Sequence, residues 1–258
     1  MDFFQRNMFL IELKRQCSLH TNPEMEVLYV KKGKVSLICG AGEMYEVTEN
    51  SVVFILPYHI HKFIPSEDIE ATVFMFPFSI HREFTDVNKN PDLDGKIFRP
   101  DKISRKYIDR LFCDYIAQPT PFLEKGLFFA FLNLISINDF KSTRSYSGGD
   151  FMHLTAKYVY DHIAEAITAS DISKSIGYTP RELSNKFKET LGIKLGDFIG
   201  SVRIQKACDL LLTSDMSVTE ISGICGFGSL RNFNRIFLLK VGETPSEYRK
   251  SLKKVMVK

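Results

Sequence analysis

Two stripes of residues toward the C-terminal end carry side chains of the kind that can read a duplex. Arg181, Ser184, Asn185 and Lys188 fall at i, i+3, i+4 and i+7, and Arg231, Asn234, Arg235 and Leu238 repeat that spacing fifty residues later. Such spacing places each set on one face of a helix. Arginine can bond two acceptors of guanine at once, and asparagine can bond adenine in the same bidentate way, so these faces suit base edges in a major groove. Lys186 and Lys188 suit phosphate oxygens, which hold register without reading sequence. A single face of this composition is common on any surface helix. Two matched faces are not.

The elements that must hold these faces are written as a repeat. Ile172-Ser173-x-x-x-Gly177-Tyr178 returns 49 residues on as Ile221-Ser222-x-x-x-Gly226-Phe227. One residue is then gained, and at an offset of 50 Arg181 matches Arg231, Leu183 matches Phe233, Phe187 matches Phe237, Gly192 matches Gly242 and Phe198 matches Tyr248. Each copy opens on a capping-box pattern, Thr168-x-x-Asp171 and Ser217-x-x-Glu220. Gly177 and Gly226 stand where that short helix must stop, in a position that favours a left-handed backbone. Thr179-Pro180-x-Glu182 and Ser229 then start a second helix. Its far side is apolar: Leu183, Phe187 and Leu191 in the first copy, Leu230, Phe233 and Phe237 in the second. Short helix, glycine turn and second helix make a helix-turn-helix, here twice. Between the copies Asp197 to Leu212 reads as one helix, with Val202, Ala207, Leu210 and Leu211 inward. Sixteen residues at ~1.5 Å each make roughly 24 Å. Successive major-groove faces lie ~34 Å apart, so the helices must tilt or the duplex must bend.

The first half reads differently. Met25/Val27/Tyr29, Val35/Leu37/Cys39 and Val53/Ile55 alternate at period two, punctuated by Lys31-Lys32-Gly33, Gly40-Ala41-Gly42 and Glu49-Asn50-Ser51. Ser51 to Pro57 and Ala71 to Phe76 are apolar on both faces, as in the strands of a filled barrel or sandwich. From Asp101 to about Phe140 the period changes. Ile108, Leu111, Phe112 and Tyr115 keep helical spacing, and after Pro119 and Pro121 a second apolar segment follows, so two helices pack antiparallel. The second, with Leu127, Phe128, Phe131, Leu134 and Ile135, is greasier than one helix packed on a barrel needs, which suits either added core or a subunit interface.

Composition sets the outer bounds. At 258 residues, 44% hydrophobic and 25% charged, the chain suits two ordinary globular domains. Residues 1–149 hold 18 Lys/Arg against 19 Asp/Glu, whereas residues 150–258 hold 16 against 12. The C-terminal half is therefore mildly basic, which permits a polyanion partner without requiring one. Cys17, Cys39, Cys113, Cys208 and Cys225 are scattered and odd in number, a pattern that suits a reducing compartment rather than a disulfide framework or structural zinc. Met1-Asp2-Phe3-Phe4-Gln5-Arg6 lacks a leader pattern, and the apolar run Leu127 to Ile137 is too short to cross a bilayer. The expectation is a cytoplasmic protein with no membrane partner.

Residues 155–252 resemble the DNA-binding domain of the AraC/XylS family of bacterial transcription regulators. The resemblance is carried by Arg203-Ile-Gln-Lys-Ala-Cys-Asp-Leu-Leu-Leu212, Ser217-Val-Thr-Glu-Ile-Ser-Gly-Ile-Cys-Gly-Phe227, Phe233-Asn-Arg-Ile-Phe237 and Gly242-Glu-Thr-Pro-Ser-Glu-Tyr-Arg249. It implies sequence-specific binding of double-stranded promoter DNA, with RNA polymerase as a partner and activation as the usual outcome. At positions matching the family's contacts it points to Arg181, Ser184 and Asn185 in the first unit and to Arg231, Asn232, Asn234 and Arg235 in the second. The family usually has a basic pair after the position of Phe237; Leu238 and Leu239 stand there instead, leaving Lys240 to hold phosphate. Leu230 and Asn232 also depart from the usual residues, which implies an unusual half-site.

The N-terminal region resembles a cupin-type sensing domain. Glu26 followed after six residues by Gly33, and Pro57 followed by His61, carry that likeness. It implies a small-molecule effector, a sugar or similar metabolite, with His20, Glu26, Tyr29 and His61 as pocket candidates. A catalytic cupin would have a second histidine where Asn22 stands. His20, Glu26 and His61, with His59 as an alternative, form a depleted ligand set, and a histidine at such a place more often bonds a ligand or a backbone group. No complete metal set and no nucleophile–base pair is present, so neither a catalytic residue nor a cofactor is expected. Two other readings stay open: a metal-dependent cupin enzyme carrying a regulatory module, and a ligand-independent regulator whose barrel only dimerises. The expected architecture is α+β in two domains. Residues 1–100 form a cupin-like β-barrel, 101–140 a helix pair that makes a homodimer, 141–150 a linker, and 151–258 an all-α double helix-turn-helix.

Overall fold

The computed structural model describes residues 9–13, 19–39, 43–76, 93, 95–137 and 151–255. The linker expected at 141–150 lies outside them. The chain divides into two compact units, Met1–Gln16 with Asn22–Gly148 and Cys17–Thr21 with Gly149–Lys258.

The strands of the first unit are β1 (Phe9–Glu12), β2 (Met25–Lys32), β3 (Lys34–Cys39), β4 (Glu43–Thr48), β5 (Ser51–Ile55), β6 (His61–Pro65), β7 (Glu70–Phe76) and β8 (Ile97–Phe98). Their antiparallel ladders make a five-stranded sheet in the order β1-β7-β2-β5-β8 and a three-stranded sheet in the order β4-β3-β6. Among the described residues the expected barrel is thus two sheets, with no ladder joining them into a closed cylinder. β3 is buried at every second residue, Val35, Leu37 and Cys39, as its alternation predicts.

β2 is different: Met25 to Val30 are all buried. The reason is that the larger sheet is covered on both sides. Met25, Val27 and Tyr29 share one core with Phe54 and Phe74 and with the helices α1 (Lys102–Ala117) and α2 (Pro121–Ile137). Glu26, Leu28 and Val30 alternate with them and face the smaller sheet. α1 starts at Asp101, whose carboxylate accepts from the N–H groups of Ile103 and Ser104 at 2.8 Å each. It is tied to β2 by Tyr29 Oη donating to Asp109 at 3.3 Å and by a Lys31–Asp109 ion pair of 3.0 Å. In α2, Leu127, Phe128, Phe131 and Leu134 go into that core, while Phe122 is 86% exposed. The apolar excess of this helix is therefore mostly core, with an outer remainder.

The second unit is helical: α3 (Phe151–Asp161), α4 (Ala169–Ile176), α5 (Pro180–Leu191), α6 (Leu195–Thr213), α7 (Val218–Ile224), α8 (Leu230–Val241) and α9 (Pro245–Val255). The repeat seen in the sequence is a repeat in space. Thr168 and Ser217 form full capping boxes with Asp171 and Glu220, and Thr179 forms one with Glu182. Gly177 ends α4 at φ 77°, where an L side chain would be strained. Phe187 meets Phe198 with ring centroids 5.1 Å apart, and the matched pair Phe237 and Tyr248 sits at 5.7 Å. Tyr178 donates its N–H to the Ser173 carbonyl as Phe227 does to Ser222, both at 3.0 Å. α6 runs to 19 residues, which at ~1.5 Å each makes roughly 28 Å, still short of one turn of duplex.

Candidate nucleic-acid interface and effector site

Local sequence fixes how the two polar stripes are presented. In α5 the apolar side chains Leu183 and Phe187 are fully buried, so Arg181, Ser184, Asn185 and Lys188 must point outward, and all four are exposed. In α8 Phe233 and Phe237 play the same part, and Arg231, Asn232, Asn234 and Arg235 are exposed. Each helix presents its first turn with capping already satisfied. Thr179 Oγ1 accepts from the Glu182 N–H at 3.3 Å, and Ser229 Oγ accepts from the Asn232 N–H at 3.2 Å.

The sites predicted from sequence are not equally free to contact a partner. Ser184 Oγ donates to the Pro180 carbonyl at 2.9 Å and so is turned back on its own helix. Arg235 donates to Asn232 Oδ1 at 3.0 Å, pairing two of the expected base contacts. Lys186 lies over two rings, 5.1 Å from the Phe151 centroid and 5.0 Å from that of Tyr178. Lys240, expected to hold phosphate, is folded onto α6 instead, where its ammonium donates to Ser201 Oγ at 2.8 Å. Burial lowers its pKa, against the opposing pull of Asp197. Beside it Leu238 and Leu239 are 48% and 74% exposed, so the end of this helix presents an apolar edge. No local pattern announces the turn of Lys240, because its partner lies on another helix.

In the first unit, β2 separates two of the four residues expected to share a pocket. Tyr29 and Glu26 lie three apart on β2 and so point to opposite faces. Tyr29 is packed edge-on to Phe131, its centroid 6.4 Å away, and burial beside Asp109 raises its phenol pKa. It belongs to the helix-covered face, away from Glu26. That part of the expectation is corrected. Glu26 and His61, by contrast, are brought together and are 2% and 1% exposed. His20 is buried too, but lies in Cys17–Thr21, the short segment grouped with the second unit.

The geometry around Glu26 is closely specified. Its Oε1 accepts from Asn22 Nδ2, and its Oε2 lies 3.2 Å from His61 Nε2. His61 Nδ1 lies 3.1 Å from the His59 carbonyl, which can only accept, so that nitrogen carries a hydrogen. His61 Nε2 and Glu26 Oε2 are thus within hydrogen-bond reach of each other. Glu26 and His61 each carry a donor atom that a metal could use, and both are engaged in this cluster. No pattern in the chain marks Tyr58. It takes a left-handed backbone at φ 63°, rare for a bulky residue, and its N–H donates to the Asn22 carbonyl at 2.7 Å. Asn22 therefore holds the carboxylate with its side chain and the Tyr58 N–H with its backbone carbonyl. Strained backbone of this kind clusters at ligand sites.

Comparison with known proteins matches this division of the chain. Residues 11–113 fit a family described as the AraC-like ligand binding domain, and residues 172–251 fit one described as a helix-turn-helix domain. Over 100 residues the chain is 31% identical to the xylose operon regulatory protein of Escherichia coli (strain K12), a stretch covering 39% of this chain and 26% of that protein. Over 110 residues it is 31% identical to an uncharacterized HTH-type transcriptional regulator of Staphylococcus aureus (strain COL), covering 43% of this chain and 15% of that one. The chain thus spans about a quarter or less of the length of these curated relatives. Among solved structures, apo ToxT from Vibrio cholerae superposes with a TM-score of 0.69 at 19% identity, over 95% of this chain and 97% of that one. ToxT bound to an unsaturated fatty acid gives 0.57 at 17% identity, over 94% and 93%. At such identities the likeness is one of fold. Among the described residues, no helix is long and apolar enough to cross a membrane.

Proposed function

This chain belongs to the AraC family of transcription regulators, and from there we propose that it binds promoter DNA through α5 and α8, under control of a small molecule held by the first unit. The observation that carries this reading is the pair of exposed polar stripes at matched repeat positions, each backed by fully buried phenylalanine. Arg181, Asn185, Arg231, Asn234 and Arg235 read bases, and Lys188 holds phosphate. In this reading the protein acts in the cytoplasm as a homodimer and recruits RNA polymerase as an activator. The outer apolar remainder of α1 and α2, with Ile103, Tyr107, Phe122 and Phe129 exposed, is the dimer surface.

The effector binds at the Asn22–Glu26–His61 cluster. Around it the inner faces of β2, β5 and β7 are largely apolar, with Leu28, Val53, Ile55 and Val73 buried. A ligand with an apolar body and one polar end suits those surroundings better than a sugar does, since each extra hydroxyl would need its own partner. The fatty acid held by ToxT has that general form.

Binding of the full chain to duplexes enriched from a random-sequence pool tests the first claim. Affinity should fall steeply with salt yet discriminate the enriched duplex from scrambled competitor. Equal affinity for both would end the proposal. Thermal melts against sugars and against fatty acids of varied length test the second, because a ligand of the folded state raises the melting temperature.

A further inference from the structure

We propose that Arg203 clasps the two helix-turn-helix units into one rigid body and thereby sets the spacing between the two half-sites they read. This rests on the DNA-binding reading above and concerns a residue that touches no base.

Arg203 lies near the middle of α6, the helix that joins the units. Its Nε donates to the Ile163 carbonyl at 3.1 Å and its Nη2 to the Glu165 carbonyl at 2.6 Å. Both carbonyls belong to the loop between α3 and α4, just ahead of the Thr168 cap that starts the first helix-turn-helix. The same guanidinium lies 6.0 Å from the ring centroid of Phe227, in the turn of the second. Gly226, beside it, fits so tightly that a Cβ would stand 2.2 Å from the Ile163 oxygen and 3.0 Å from Arg203 Nη2. The loop leading into one reading head therefore abuts the turn of the other, with Arg203 fastened to the first and stacked on the second.

A second arginine shows what is particular here. Arg249 in α9 makes the same fork, Nε to the Leu211 carbonyl at 3.3 Å and Nη2 to the Met216 carbonyl at 2.6 Å. Those carbonyls lead into the second helix-turn-helix, the one that α9 itself follows, so Arg249 braces a single unit from within. Arg203 makes the equivalent fork for the first unit, the one that α6 follows, and in addition its guanidinium lies over Phe227 in the turn of the other. Hydrogen bonds from an ionised donor are the strong kind, and arginine stays protonated when partly buried. Rotating α4 and α5 against α7 and α8 would pull the Ile163 carbonyl, which Arg203 holds, away from Gly226 and part the guanidinium from Phe227. The angle between the two base-reading stripes is thereby fixed, and with it the separation of half-sites that both can reach.

Arg203 is thus a positioning residue, and spacing is the readout that a merely stabilising role would not move. The full chain and its Arg203→Lys variant are each selected against a random-sequence duplex pool and the bound duplexes sequenced. Lysine keeps the charge but cannot fork to two carbonyls. Wild type should enrich two motifs at one separation and prefer it at least about tenfold over a duplex lengthened by one base pair. The variant should enrich the same motifs with separations spread over neighbouring values, and that preference should fall toward parity. Unchanged spacing in the variant overturns the clasp, and so does a single motif from wild type. No motif from wild type removes the DNA-binding reading itself, a separate failure. Should Arg203→Lys lose its cooperative melt, Arg203→Met, which keeps the stem packing and removes both donors, decides on the same criteria.

Discussion

Replacing Arg231 by alanine separates base reading from mere charge. Arg231 is the second residue of α8 and is exposed on the stripe with Asn234 and Arg235. Truncating an exposed side chain away from caps and core changes stability by less than ~0.5 kcal/mol, so the variant folds. If its guanidinium bonds a guanine bidentately, its loss costs ~1–3 kcal/mol. At ~1.4 kcal/mol per decade that is about 5- to 150-fold in Kd on the selected duplex. The change on scrambled duplex should be small. Arg235→Ala should cost less, because in the free protein Arg235 already bonds Asn232 at 3.0 Å and must give that up. An exposed bond of this sort offsets ~0.5–1 kcal/mol of the gain. Lys188→Ala should weaken every duplex alike and lower the slope of log K against log salt by about one. Competition binding on selected and scrambled duplexes at several salt concentrations measures all three. If Arg231→Ala weakens both duplexes equally, the stripe on α8 does not read sequence and the assignment of its face is wrong.

Other expectations concern the fold and the remaining sites. Gly177 and Gly226 match in the repeat and both have positive φ, but only Gly226 is crowded. Gly177→Ala should cost ~1 kcal/mol of backbone strain, and Gly226→Ala clearly more, as urea titration would show; equal costs would deny the tight junction. Asp171, Glu182, Glu220 and Glu247 each have a lowered pKa, first through hydrogen bonds from the Thr or Ser at their own helix start. A carboxylate lowered in the folded state stabilises above its ordinary range, and that contribution is lost as pH falls through the folded value. Melting temperature should therefore be level down to about pH 5 and drop below about pH 4. His61→Ala removes the His61 partner from the buried Glu26 carboxylate, which should cost ~3 kcal/mol and abolish any effector-induced melt shift. Phe122→Ser, on a residue 86% exposed, should leave the melt of dilute protein unchanged but shift sedimentation from dimer to monomer; a monomeric wild type would refute the dimer surface.

The second unit was legible because its determinants are local. Thr168, Thr179 and Ser217 each find their capping partner three residues on, so the pattern in the chain is the contact in space. The faces of α5 and α8 followed from where phenylalanine recurs. Strand alternation was equally readable, and it separates Tyr29 from Glu26; the cupin likeness obscured that. Lys240 could not be placed in the same way. Its partner, Ser201, lies 39 positions away on another helix, and nothing near Lys240 marks it as inward. Tyr58 lay beyond reach for another reason: bulky residues so rarely take positive φ that no sequence rule would assign it. Its backbone is held there by Asn22, through a bond that exists only once the fold has formed.

Consider finally that β2 has no watery side between Met25 and Val30. Glu26 meets the histidine on one surface of this strand, and Tyr29, three residues on, meets Asp109 of α1 on the other. Close-packed interiors do not cushion displacement. A molecule that wedges against the carboxylate must push the whole ribbon, and the ribbon has nowhere to go but into the helices behind it. On the proposed reading, occupancy within the sheets would be felt as mechanical load on α1 and α2.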